Sequence, residues 1–283
     1  MIDRMPKRFL YLAQGPGAMP AHYDDIESAD ADFVYLTFKN ELPGAVFFPG
    51  STWTTGRNRL LAEALQRVDN YEYFVFLDND VSFIEGDWRV FERSVLALRP
   101  AIAAPYYADY PSGHRRRNSS STARAQQCFY FDAIYTAFHR DVLKDHLIVP
   151  YYAGFDDISW WYSQYFVIQL AYIFYKGHVL QINDVAIGNE GHSPYPREDQ
   201  FRMMSDWFET HVVKAPLRAM LPRNFRFRAE RFLRGRLNLA LPPRPPLASY
   251  RLDPARVRRK LHANDSNPFW KSFARHRQDG LLP

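Results

Sequence analysis

Cysteine is almost absent: Cys128 is the single one in 283 residues. That excludes an internal disulfide framework and any multi-cysteine metal cluster. It is consistent with a reducing compartment. Long hydrophobic runs are lacking as well. The basic opening, Met1 to Arg8, leads into only a short apolar piece, Phe9 to Ala13, too short for the core of a secretory signal. The longest apolar stretch, Ile158 to Tyr175, is broken by Ser163, Gln164 and Gln169 and crowded with aromatics. It reads as a buried helix rather than a membrane span. The expectation is a cytoplasmic protein, peripheral at a membrane if it meets one. No internal repeat is present.

Negative charge is scarce toward the C-terminus. From Lys214 onward there are 17 Lys and Arg against 4 Asp and Glu. The whole chain carries +5, so the first 213 residues carry −8. Two regions follow: a catalytic-sized body, 1–213, and a basic, proline-containing extension, 214–283, with helical segments. Such a tail points to an anionic partner. Arginine interleaved with Phe and Leu over Asn224 to Leu237 suits a membrane surface, with nucleic acid ranked below. Packing of the tail on the body, or on another subunit, is the competing reading.

What is present is a chain of alternating strands and helices. Arg8 to Ala13 reads as a first strand, broken by Gln14-Gly15-Pro16-Gly17. Asp32 to Phe38 is a second strand and Ala45 to Pro49 a short third. A helix begins near Thr54 or Thr55, either of which could cap it; Leu60, Leu61, Ala64, Leu65 and Val68 form its apolar face. Arg57 and Asn58 fall in its first turn, where a helix N-terminus and a guanidinium together suit an anion. Trp88 to Leu98 is an amphipathic helix and Ala101 to Tyr107 a strand. Tyr110 to Ala125, with Arg115, Arg116 and Arg117, reads as a long loop able to close over phosphate. Gln127 to Phe138 is a strand region through Asp132. Gly154-Phe155-Asp156-Asp157 opens the aromatic helix, with either aspartate a candidate N-cap. His178 to Ile182 is a strand leading toward Gly191-His192, and Glu198 to Val213 an amphipathic helix.

The organising stretch is Tyr71 to Phe83. Tyr73 to Leu77 are aromatic or aliphatic without polar alternation, the pattern of a central strand covered on both faces. It runs into Asp78-Asn79-Asp80. In an open α/β sheet ligands bind beyond the carboxyl ends of such strands. Two carboxylates there need solvent, hydrogen bonds or a cation. A hard divalent metal carrying a diphosphate satisfies them.

Gly56-Arg57-Asn58, followed by Phe76-Leu77-Asp78-Asn79-Asp80, then a strand through Asp132, Gly154-Phe155-Asp156-Asp157 and a strand toward Gly191-His192, resembles the nucleotide-sugar glycosyltransferases of the GT-A fold. The likeness runs over Arg8 to Val213 and is to inverting, family-2-like members. It implies an α/β, Rossmann-type mixed sheet flanked by helices. It implies Mn²⁺ or Mg²⁺ held by Asp80, with Asp78 at the ribose or the metal's water shell and His192 as a further metal contact. Gly15, Arg57, Asn58, Asn79 and Asp132 would lie at the donor nucleotide. Asp157, or failing it Asp156, would be the base in an inverting displacement. UDP- or GDP-sugars are the expected donors, and a polysaccharide or glycolipid the acceptor. A nucleotidyltransferase on a related sheet is the first rival; it should carry a lysine in the glycine-rich break, and Gln14 to Gly17 has none. A non-enzymatic anionic-surface binder using the tail is the second.

Overall fold

The computed structural model describes residues 7–108, 123–128, 131–147, 149–189, 198–215 and 243–262. Its strands are β1 (Phe9–Gly15), β2 (Ala31–Thr37), β3 (Val46–Phe47), β4 (Tyr73–Asp78), β5 (Val81–Glu85), β6 (Ile102–Tyr107), β7 (Ala125–Gln127), β8 (Tyr135–His139) and β9 (Val179–Asn189). Its helices are α1 (Trp53–Gln66), α2 (Trp88–Leu98), α3 (Arg140–Lys144), α4 (Trp161–Tyr175), α5 (Glu198–His211) and α6 (Pro254–Lys260). All nine strands join one mixed sheet in the order β3-β2-β1-β4-β8-β6-β9-β5, with β7 beside β9. β3, β2, β1 and β4 are mutually parallel; β8 is antiparallel to both β4 and β6.

The apolar run of β4 is explained by cover on both faces. Phe74 and Phe76, with Leu10 and Leu12 of β1, meet α1, α4 and α5. Tyr73, Val75 and Leu77, with Phe9, Tyr11 and Ala13, meet α2. With water excluded from each side, alternation has nothing to respond to. α4 is hydrophobic all round for the same reason: thirteen of its fifteen residues are buried. Among the described residues no helix is long and apolar enough to cross a membrane.

Several elements differ from the sequence expectation. α1 is capped by Thr52, in a reciprocal box with Thr55, and neither Thr54 nor Thr55 is the cap. Neither Asp156 nor Asp157 caps α4, which starts at Trp161 without a side-chain cap. The region from Gln127 to Phe138 is not one strand: β7 ends at Gln127 and β8 begins at Tyr135. β9 is longer than expected and carries β5 along its edge in antiparallel register. Most of the Tyr110 to Ala125 loop, including Arg115 to Arg117, lies outside the described residues.

Part of the basic extension belongs to the body. Tyr250 and Leu261 are buried in the same cluster as α4 and β4. Asp141 accepts hydrogen bonds from the Ser249 hydroxyl and the Tyr250 N–H, each at 3.0 Å. Asp145 accepts from Leu252 N–H at 3.0 Å and pairs with Arg251 at 3.2 Å. Arg256 and Lys260 of α6 lie over the ring of Phe174.

Candidate active site

The sheet order locates the crevice before any residue type is considered. β1 connects outward to β2 and β3 on one side, while β4 lies on its other side. The connections diverge at the β1/β4 boundary, and open α/β sheets bind ligands beyond the carboxyl ends of the strands at such a point. Gln14 of β1 stands opposite Asp78 of β4 there. The Asp78-Asn79-Asp80 turn closes this rim and leads into β5.

The start of α1 organises the site. Arg57 is completely buried. Its Nη2 donates to Asp78 Oδ1 at 2.5 Å and to the Ala133 carbonyl at 3.1 Å. The indole N–H of Trp53 donates to the same Asp78 oxygen at 2.8 Å. Arg57 also lies over the Trp53 ring, 5.0 Å from its centroid, and near Phe76. From the opposite face the Tyr23 hydroxyl donates to the Asp78 carbonyl. Asp78 is therefore a fixed element of the rim, its charge met by a cation that water does not reach.

Asp80 is placed differently. Its Oδ1 is buried and accepts no hydrogen bond among the described residues. Burial, then the nearby Asp78 charge, raises the Asp80 carboxyl above its ordinary value. Arg57 and hydrogen bonds from its own backbone and from Asn189 pull the other way. An unpaired carboxylate oxygen in this position is the kind of ligand a hard cation takes. The described residues contain no group of three His, Cys, Asp or Glu that could hold a metal on their own. His192 lies outside the described residues. Among the described residues Asp80 is thus the group whose chemistry fits a hard divalent ion.

The acidic loop before α4 is fastened to the same end of α1. Asn58 makes a two-way amide contact with the Tyr151 backbone: its Nδ2 donates to the carbonyl at 2.8 Å and its Oδ1 accepts from the N–H at 2.7 Å. Asp156 accepts from the Thr52 hydroxyl at 2.5 Å and the Thr54 hydroxyl at 2.6 Å. Burial raises its carboxyl, the two hydroxyls lower it, and Asp157 adds a repulsion. Trp160 stacks on Trp53 at 4.5 Å between centroids. Asp157 is exposed on this loop. Asp78 and Asp156 are thus both fastened to the start of α1.

Other expected donor residues have structural duties. A Cβ on Gly15 would collide with the Tyr35 hydroxyl and come within 2.9 Å of Asn79, so glycine lets the acidic turn settle against β1. Asp132 accepts from the Ile134 N–H at 3.1 Å, closing the turn that presents the Ala133 carbonyl to Arg57. Sequence reasoning missed Trp53, Tyr23, Thr52 and Thr54. It also missed Gln14, whose Nε2 donates to the Trp53 carbonyl at 3.1 Å. A capping pattern could have marked Thr52; no local signal marks the others, whose partners are distant in sequence.

No protein-family model matches the sequence, and no curated protein matches it. Solved structures do. The S. aureus TarS 1-349 fragment is similar at a TM-score of 0.50 and 10% identity, over 80% of this chain and 74% of that one. The same fragment in complex with UDP gives 0.49 at 11% identity, over 80% and 74%. A197 from STIV gives 0.42 at 17% identity, over 64% and 84%. At these identities the likeness shows architecture: the chain has a GT-A-like mixed α/β fold, a nine-stranded sheet flanked by helices.

Proposed function

We propose that this protein transfers a sugar from a nucleotide-sugar, UDP- or GDP-linked, to a glycan or glycolipid acceptor, assisted by Mn²⁺ or Mg²⁺. The observation that carries the proposal is the buried, unpaired Oδ1 of Asp80 at the sheet's switch point. The departing nucleoside diphosphate gains negative charge, and a divalent ion held there supplies Lewis-acid neutralisation of it. Asp80 offers the oxygen to the ion, and His192 is assigned as a further contact. Asp78 keeps the turn in place through Arg57 and Trp53 and bears on the ion through its charge. Asn79 and Gly15 bring the turn close to β1, beside the donor.

The acceptor hydroxyl must lose its proton as it attacks. Asp157, exposed on the loop fixed by Asn58 and Asp156, is assigned as the base in a single inverting displacement. Asp156 is the second candidate, but both of its oxygens are engaged by threonine hydroxyls. TarS 1-349 was crystallised with UDP; for this chain that makes uridine nucleotides the first ligands to test. The basic residues after Lys214 would draw the protein to an anionic membrane face from the cytoplasmic side.

The test is a panel of UDP-, GDP-, CMP- and dTDP-sugars incubated with the full chain and Mn²⁺, with products separated by charge. Release of nucleoside diphosphate, suppressed at least about tenfold in Asp80→Asn, supports the reading. Production of pyrophosphate from a sugar phosphate and a nucleoside triphosphate would instead assign a nucleotidyltransferase. Turnover unchanged in Asp80→Asn would remove the role given to Asp80.

A further inference from the structure

Trp160 stands apart from the other tryptophans of this region. Like Trp53, Trp161 and Trp207 it is half-buried, but unlike them it packs into neither hydrophobic core. Its one ring contact among the described residues is Trp53, at 4.5 Å and 29°. Its indole N–H has no hydrogen-bond partner there. Trp53 is itself fixed, by the bond to Asp78 and by the Arg57 guanidinium over its ring. Trp160 is thus braced from behind and carries little conformational freedom, which makes it a rigid contact surface.

Its surroundings restrict what could lie on it. The loop that carries Trp160 also carries Asp157, exposed, and Asp156, which is tied to Thr52 and Thr54 on either side of Trp53. A flat apolar ring beside carboxylates suits a ligand with one apolar face and a rim of hydroxyl donors. A lipid chain would set methylenes against charge and desolvate it without compensation.

We infer that Trp160 is the platform for a hexopyranose ring of the acceptor, whose C–H face packs on the indole while its hydroxyls reach Asp157. The inference rests on the glycosyl-transfer reading and assigns the acceptor a saccharide at the point of attack. Trp160 is a binding residue in this account, and Trp53 a positioning residue that holds both the platform and Asp78.

The experiment uses the full chain with whichever of UDP, GDP, CMP and dTDP it binds best by calorimetry. Saturation-transfer NMR is then run against a panel of methyl hexopyranosides and disaccharides, for wild type, Trp160→Ala and Trp160→Phe. The expected result is saturation of ring C–H protons of at least one saccharide. The signal falls about tenfold in Trp160→Ala, and Trp160→Phe recovers most of it. Nucleotide affinity stays within about threefold in both variants, a margin below 1 kcal/mol. Trp160→Phe, which keeps a stacking ring, separates loss of the platform from loss of the fold. A nucleotide-binding wild type that saturates no saccharide overturns the inference and leaves the glycosyl-transfer reading standing. So does a saccharide signal unchanged in Trp160→Ala. A nucleotide affinity that drops beyond threefold with the saccharide signal intact overturns it too, since the indole would then serve the base. Failure of the wild type to bind any nucleotide overturns both.

Discussion

A guanidinium taken out of water is costly unless its charge is met, and Arg57 is met by one oxygen of Asp78. Removing one member of a buried pair leaves the other uncompensated, at about 3–5 kcal/mol. Arg57→Met should therefore lower stability by about that amount in urea denaturation, and Asp78→Asn, which leaves the buried guanidinium without a counter-charge, by a comparable amount. A much smaller loss in Asp78→Asn would show that the charge of Asp78 is not what Arg57 answers. Asp80 behaves in the opposite sense. Its carboxyl is raised in the fold, so the folded state binds its proton more tightly than the unfolded chain. Its charge therefore opposes folding at neutral pH. That penalty fades as pH falls through the raised value toward the ordinary carboxylate range, about 4. Asp80→Asn should raise the melting temperature at pH 7, and the gain should vanish as the buffer is taken down to about pH 4. A gain that persists unchanged in acid would mean that something other than ionisation is relieved.

At the level of elements, the β4–β5 turn sits where it does because β1 ends in glycine. Gly15→Ala should push Asn79 and the Tyr35 hydroxyl away and weaken nucleotide binding more than stability. Adding Tyr35→Phe removes one of the two collisions and should recover part of the loss. No recovery, read by calorimetry, would place the obstruction wholly at Asn79. The pieces readable in the sequence are those whose environment is written locally. The unbroken apolar run of β4, the amphipathic α2 and the carboxylates at the strand's end all belong to this group. β5 and the long β9 were less legible, because Asn183 and Asp184 interrupt the β9 pattern while the backbone stays in the sheet. The role of Arg57 was not legible at all. In the first turn of a helix, arginine looks the same whether it faces solvent or a carboxylate 21 residues on. Nor does Asn58 announce a partner 93 residues away.

On the scale of the whole molecule, the described part of the C-terminal segment lies at the pole opposite the acidic rim. Asp141 and Asp145 follow β8, which runs antiparallel to β4, so they stand at the start of β4 rather than its end. There Arg251 pairs with Asp145, and Arg256 and Lys260 lie over Phe174. Tyr250 and Leu261 also fill core, each contributing about 1.5–3 kcal/mol by burial. Removing everything from residue 243 onward should thus lower the melting temperature by several degrees, in addition to any loss of binding to anionic vesicles. A truncated chain that melts with the full one would show these residues to be dispensable cover.

The central claim is that Asp80 holds a cation on which the diphosphate of a donor rests. Calorimetric titration of UDP, and of the other nucleoside diphosphates, into wild type and Asp80→Asn, each with Mn²⁺ and with EDTA, tests it most directly. The account predicts binding by wild type that weakens at least about tenfold in EDTA, and an Asp80→Asn variant that binds weakly whether or not Mn²⁺ is present. Equal affinity in all four conditions would contradict it.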